Sequence, residues 1–110
     1  MNYVIVFRSR LRPGVDAAYS QRAGQIYEIA ATMPGLMSAT DFVAEDGERC
    51  AIIEFDTLEH LLAWRDHPEH LKVQQEGRDT YYASYSISIA KVERASAFDA
   101  ATGSWKRQGT

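Results

Sequence analysis

The chain has 110 residues, 45% of them hydrophobic and 25% charged, with a formal charge of -3 at pH 7. This composition is typical of one soluble globular domain and excludes a disordered chain, and no apolar run approaches the ~20 residues of a membrane-spanning helix. Because 15 acidic residues outnumber 12 basic ones, and the basic residues form no block, nucleic acid is not an expected partner.

The cysteine content and the first residues indicate a cytoplasmic protein. A single cysteine, Cys50, forms neither an internal disulfide framework nor a Cys-x-x-Cys site, which fits a reduced compartment. The apolar start at residues 2–7 has no basic leader and reaches Arg8 too soon for a signal peptide. We therefore predict that the protein resides in the cytoplasm.

The first half of the chain predicts a strand, a helix and a β-hairpin. β-branched and aromatic residues favour strands, whereas apolar residues at alternating three- and four-residue steps indicate a helix, which Pro34-Gly35 ends. Asp46-Gly47 is typical of a hairpin turn because glycine accepts a positive φ. These signals predict strands at 3–9, 36–43 and 50–55 and a helix at 15–33.

The second half predicts a broken helix and a fourth strand. Residues 56–59 have the form of a capping box, an oxygen-bearing side chain followed three residues later by a carboxylate, which predicts a helix start. Pro68 disfavours helical geometry at His67 and suits the first position of a new helix, so we expect the helix to break there. Tyrosine and isoleucine alternate with serine at 84–94, which predicts a strand with one packed face.

This order of elements predicts an α+β, ferredoxin-like fold, with a four-stranded antiparallel sheet and helices on one of its faces. We assign this domain to residues 1–95. Residues 96–110 form a C-terminal tail without periodicity that carries Phe98 and Trp105. The tail is predicted to be flexible or to dock on a partner subunit, and a frayed end is the favoured interpretation.

Three segments of the sequence resemble the antibiotic biosynthesis monooxygenase family. They are the opening Val-Ile-Val-Phe-Arg-Ser-Arg-Leu-Arg-Pro-Gly at 4–14, the Met-Pro-Gly turn at 33–35, and Trp-Arg-Asp-His-Pro-Glu-His at 64–70, which is the most specific. The resemblance covers residues 2 to about 95. It implies a dimeric α/β barrel, a homodimer whose subunits pack their sheets together while each keeps a pocket between its own sheet and helices.

The resemblance also implies a range of activities. Some members oxidise polycyclic aromatic phenols with O2 and no cofactor, some relatives open the haem ring, and many have no known reaction. We predict a small monooxygenase that oxidises an aromatic or quinol-like compound with O2, without a metal or prosthetic group. The alternative is a non-catalytic dimer that binds a small apolar molecule; a haem-degrading relative is less favoured, and participation of haem or a flavin stays open.

Trp64 and His60 are predicted to face the pocket. The large ring of Trp64 suits a pocket wall, and in the resembling family a tryptophan on this helix lines the pocket of both phenol-oxidising and haem-opening members. A core tryptophan is the structural alternative. His60 lies four residues earlier, on the same helix face, and matches a substrate-orienting position of the family, although an exposed helix histidine explains it equally well.

His67 and His70 are the candidate general bases. A histidine that titrates near neutrality takes a proton from a phenol or hydroquinone, and the resulting anion passes an electron to O2. The structural alternatives are a helix cap at His67 and a surface histidine at His70. A metal site on the histidines is not predicted, because the turn at Pro68 points them apart and no carboxylate completes a recognisable spacing.

Phe7 and Gln74 bear on haem degradation. Haem-opening relatives carry an asparagine on the first strand and an axial histidine about ten residues after the helix tryptophan. In this sequence the two positions fall on Phe7, which has no amide, and Gln74, which is a poor iron ligand compared with histidine. His70 is the remaining candidate iron ligand. Phe7 instead suits an aromatic substrate pocket. The tyrosines are expected in the core or a dimer interface more than in pocket walls: Tyr19, Tyr27, Tyr81, Tyr82 and Tyr85.

Overall fold

Six strands and three α-helices lie in residues 2–109, the part of the chain that the computed structural model describes. The strands are β1 (Tyr3–Leu11), β2 (Leu36–Val43), β3 (Arg49–Phe55), β4 (Tyr82–Lys91), β5 (Arg94–Asp99) and β6 (Ser104–Gly109). The helices are α1 (Asp16–Ala30), α2 (Leu58–Arg65) and α3 (Pro68–Glu76), and a π-helical turn follows at Gly77–Tyr81. Met1 and Thr110, the outer limits of the predicted domain and tail, lie outside the described residues.

The first four strands form one antiparallel sheet in the order β2-β3-β1-β4. Phe7 on β1 lies opposite Ala51 on β3 and Ile87 on β4. Because successive strand side chains point to opposite faces, these residues face the helices, whereas Val6 and its partner Ile52 lie on the helix-free face. The predicted ferredoxin-like α+β fold is confirmed.

The core lies between this sheet and helices α1 and α2. Phe55 and Leu61 have no exposed surface, and α3 contributes no buried residue. No helix in residues 2–109 is long and apolar enough to cross a membrane. The core cluster consists of Ile5, Ile26, Ala30, Phe55, Leu61 and Trp64.

The helix starts at α2 and α3 are set by side-chain caps. The Thr57 side chain accepts a hydrogen bond of 3.1 Å from the His60 N–H, so the oxygen that begins α2 belongs to Thr57 rather than to the preceding residue. The predicted break at Pro68 is present: His67 is extended, with φ -60° and ψ 132°, as the residue before proline requires.

The tail differs from the predicted frayed end. β5 and β6 pair with each other as a separate two-stranded sheet, joined by a turn in which Gly103 has a φ of 67°, a conformation that glycine adopts without strain. The predicted domain boundary at residue 95 therefore falls inside β5. The sequence pattern missed these strands because their residues are mostly small or charged and give no alternation of bulk.

Candidate functional site

A cavity of about 410 Å³ lies between the sheet and the helices, within the size range of small-molecule sites. Ile87 and Ile89 on β4 face the helices yet are 44% and 39% exposed. The inner face of β4 is therefore the wall of an open cavity and not the packed face that the alternation predicted. The sheet supplies an apolar floor of Ile5, Phe7, Ala51, Ile53, Ile87 and Ile89.

Aromatic rings form one end of the cavity. Phe7 lies 5.4 Å from Tyr82 and 5.5 Å from Tyr85, and Tyr82 lies 5.5 Å from Tyr19, as distances between ring centroids. Tyr81 joins this aromatic cluster through Tyr19 at 5.9 Å. The edge-to-face and tilted arrangements leave apolar ring surface available for a planar ligand. All five tyrosines that were expected in the core or a dimer interface, Tyr27 among them, thus line the cavity.

Two of the tyrosine hydroxyls are hydrogen-bond donors held in their neutral form. Tyr82 donates to the Tyr19 hydroxyl at 3.2 Å, and Tyr27 donates to the Asp41 carboxylate at 2.6 Å. Burial is the main cause that raises the pKa of Tyr27 and Tyr82 above the usual value, and these hydrogen bonds raise it further. Neither hydroxyl therefore serves as a base near neutral pH.

Trp64 and His70 stack on each other beside this cluster. Trp64 is 2% exposed, and its ring centroid lies 4.4 Å from that of His70 with an interplanar angle of 17°. Both residues line the cavity. The break between α2 and α3 redirects the chain so that His70 returns over the indole, which local sequence spacing does not reveal.

The surroundings of His70 favour its neutral imidazole form. Its Nδ1 atom is buried and has no hydrogen-bond partner in the described part of the chain. Desolvation is the main cause that lowers the pKa of His70 below 6.5, and the charge of His67 acts in the same direction, whereas the nearby backbone of Arg65 and Trp64 opposes the shift. Because the indole face stabilises a cation above it, the Trp64 ring favours the imidazolium that forms when His70 takes a proton.

The other two histidines lie away from the cavity wall. The His67 Nδ1 accepts a hydrogen bond of 3.1 Å from the Glu69 N–H, so His67 caps α3. The His60 Nδ1 lies 2.7 Å from the Asp56 carboxylate, and this hydrogen bond lowers the pKa of Asp56. The structure therefore brings Phe7, Trp64 and His70 together around the cavity, but not His60 or His67.

An ion pair joins α1 and α3, two helices whose residues line the cavity. Arg22 on α1 makes two hydrogen bonds, of 2.7 and 3.2 Å, to the Glu76 carboxylate on α3, and lowers the pKa of that group. The pair links the two helices, and local sequence patterns do not reveal it because 54 residues separate its members.

The residues that bear on haem or metal binding are Phe7 and Gln74, which both line the cavity. Within residues 2–109, no group of three or more His, Cys, Asp or Glu residues is arranged to hold a metal ion.

Gly77 sets the position of the aromatic cluster and yields a testable prediction. Its backbone is helical, but a methyl group on it would overlap with the Tyr82 ring. We expect Gly77→Ala to lower the free energy of unfolding by about 1–3 kcal/mol through overpacking. Gly24→Ala in α1, which meets open space, is expected to raise it by about 0.5–1 kcal/mol. Urea denaturation checks both variants, and the same effect in each would contradict the close packing.

Comparisons with known proteins relate this chain to one family. A family model described as antibiotic biosynthesis monooxygenase matches residues 2–76. The uncharacterized protein YqjZ of Bacillus subtilis is 29% identical over 96 residues, which cover 87% of this chain and 83% of that protein.

Solved structures share the fold at low sequence identity. Rv0793 from Mycobacterium tuberculosis matches with a TM-score of 0.74 at 14% identity, over 84% of this chain and 95% of that chain. SnoaB, a cofactor-independent oxygenase from Streptomyces nogalater, matches with a TM-score of 0.73 at 15% identity, over 83% of this chain and 92% of that chain.

Proposed function

Because this chain belongs to the antibiotic biosynthesis monooxygenase family, we propose that it is a small monooxygenase that oxidises an aromatic or quinol-like compound with O2, without a metal or prosthetic group. The observation that carries this proposal is the stacking of His70 on Trp64 at the wall of an aromatic cavity. A cofactor-independent oxygenase, SnoaB, has the same fold. The cytoplasmic location expected from the sequence is part of the proposal.

His70 supplies the base that this chemistry needs. It takes a proton from a phenolic O–H, or from the activated CH2 of an anthrone, and the resulting carbanion or phenolate passes one electron to O2. The substrate radical and superoxide then combine, which forms a C–O bond. When a CH2 group becomes a carbonyl, the substrate supplies all four electrons, one oxygen atom stays in the product, and the other leaves as water after His70 returns its proton.

The cavity walls position the substrate and hold the base. The aromatic cluster offers ring faces against which a planar substrate stacks, and the bound substrate covers the apolar floor and displaces water from it. Trp64 keeps the His70 ring in place and stabilises its protonated form. Tyr19 accepts the Tyr82 hydrogen bond, which leaves its own O–H to donate to a carbonyl or phenolic oxygen.

Oxygen uptake by metal-stripped protein tests the reaction. We expect uptake with at least one member of a panel of hydroquinones, anthrones and flavonols, at a rate that depends on the protein concentration. Saturable quenching of Trp64 fluorescence by the same compounds without oxygen uptake would favour a non-catalytic binding protein. A haem titration tests the third candidate, a haem-degrading enzyme. A shift of the Soret band with the native protein that is absent with His70→Gln would indicate a haem site.

The pH dependence of the rate follows from the lowered pKa of His70. Because the reaction needs the neutral imidazole, kcat/KM is expected to be constant between pH 7 and 8 and to fall below pH 6.5, with an inflection below the ordinary histidine value. The unfolded chain binds a proton on His70 at higher pH than the folded one, so the free energy of unfolding also falls as the pH drops through 6.5. An inflection above pH 7 would contradict the assignment.

We also propose that two copies associate through the helix-free face of the sheet. Val4, Val6 and Ile52 form an apolar centre of this face together with Cys50 and Phe42, and apolar sheet surface is stabilised by a covering layer. The cavity lies on the other face, so each subunit keeps a site of its own. Sedimentation velocity is expected to show a dimer that Ile52→Asp dissociates, and a monomeric native protein would overturn this arrangement.

A further inference from the structure

The β5–β6 hairpin, which the proposed reaction does not use, projects from the subunit. It leaves the edge strand β4 after Val92-Glu93. In the described part of the chain, its strands pair with each other, and no hydrogen bond or ion pair joins it to the main sheet or the helices. Every described side chain from Glu93 to Arg107 is exposed. The radius of gyration of 15.6 Å exceeds the about 13 Å of a compact chain of this length.

One face of the hairpin carries an exposed aromatic pair. Phe98 and Trp105 lie directly opposite each other on the two strands and are 67% and 58% exposed. The Arg107 guanidinium lies over the Trp105 ring at 5.4 Å from its centroid. A lone two-stranded hairpin is marginally stable in water, and aromatic and arginine side chains are enriched among the residues that dominate protein interfaces. The pair therefore has the character of a contact surface.

The distribution of charge indicates what this surface binds. Residues 94–109 carry three basic side chains and one acidic one, a net charge of +2, whereas the remainder of the chain carries nine basic and fourteen acidic ones, a net charge of -5. A basic hairpin is attracted to an acidic body of the same chain in another copy. An anionic lipid surface would attract the hairpin but repel the rest of the subunit.

We propose that the hairpin is a clasp that packs on a second copy of this chain, and this inference rests on the dimer proposed above. A twofold axis that runs along the strands, between two stacked sheets, brings β4 of one copy to the side of β2 of the other. β2 is the opposite edge strand, and its first residues lie level with the end of β4 from which the hairpin leaves, because Tyr3 pairs with Lys91 on β4 and Leu36 is in register with it through β3. Met37, next to Leu36, is 53% exposed. Phe98 and Trp105 of each copy then cover this end of β2 in the other copy.

Acrylamide quenching of tryptophan fluorescence, combined with sedimentation velocity, tests the clasp. Trp64 is 2% exposed, so the quenchable emission belongs to Trp105, and Trp105→Phe verifies that assignment. We expect the Stern–Volmer constant to fall at least threefold when the protein concentration rises through the dimer dissociation constant. Phe98→Ser is expected to raise that dissociation constant at least tenfold, whereas Ala97→Ser, on the other face of the hairpin, leaves it unchanged.

Each contrary outcome has a separate meaning. A sedimenting dimer in which Trp105 stays fully quenchable overturns the clasp and leaves the dimer intact. Shielding of Trp105 by phosphatidylserine vesicles, but not by a higher protein concentration, overturns it in favour of a lipid surface. A protein that is monomeric at every concentration overturns the clasp and the dimer together, while oxygen uptake by that monomer decides independently whether the proposed reaction stands.

Discussion

Replacement of His70 by glutamine is expected to lower kcat for oxygen uptake by about 10²–10⁴-fold, the usual contribution of a positioned general base. Glutamine has similar length but accepts no proton near neutral pH. Because the aromatic cluster stays in place, KM is expected to change much less than kcat. Steady-state kinetics in an oxygen electrode measure both quantities.

His67→Asn is the matched control for His70→Gln. Asparagine retains the ability to cap α3. The substitution removes the imidazole, whose ring centroid lies 5.8 Å from that of Trp64. We expect this variant to keep most of the wild-type kcat. If His67→Asn loses the activity and His70→Gln retains it, the base is His67 and the role inferred here for the stacked ring is wrong.

Replacement of Trp64 by alanine is expected to have the largest effect on stability. Trp64 belongs to the buried core and supports the His70 ring, so the substitution opens a void in the core and frees the base. Loss of a buried tryptophan side chain costs about 3–5 kcal/mol, a large part of the 5–15 kcal/mol by which domains are typically stable. Urea denaturation measures the free energy of unfolding.

Trp64→Phe separates packing from the support of the base. A phenyl ring fills most of the volume and keeps a face for His70, so we expect a loss of about 1–2 kcal/mol and a smaller loss of activity than in Trp64→Ala. A weaker cation–π contact to the imidazolium is expected to move the acid inflection of the rate to lower pH. A loss below 1 kcal/mol in Trp64→Ala would show that the indole does not fill the core.

The proposed chemistry depends on the environment of one imidazole. Desolvation lowers the pKa of His70 and so favours its neutral form, and the stacked indole favours the protonated form once a substrate is deprotonated. Cavity-lining Tyr27 and Tyr82 stay protonated, and the Glu76 carboxylate is engaged by Arg22, which lines the cavity. Proton abstraction from a weak acid requires one group that is free to accept the proton, His70, beside other groups that keep their own protons, the two tyrosines.

Local patterns in the sequence determined the elements of the fold. β-branched and aromatic residues predicted β1, alternation predicted β4, the Asp46-Gly47 turn predicted the β2–β3 hairpin, and Pro68 predicted the break between α2 and α3, all confirmed. These signals act over a few residues, where chain geometry restricts the backbone directly. The β5–β6 hairpin was missed because its strands lack such a pattern.

Tertiary structure alone decided which candidate residues meet. The sequence predicted His60 as a substrate-orienting residue and left His67 and His70 as equal candidates for the base, because the direction of α3 after the break depends on packing and not on spacing. The aromatic cluster and the Arg22–Glu76 pair join residues separated by 63 and 54 positions, and contacts over such distances leave no local trace. The sequence by itself thus determined the ferredoxin-like order of elements and the candidate base residues, whereas tertiary packing formed the cavity and brought His70, but not His60 or His67, to its wall.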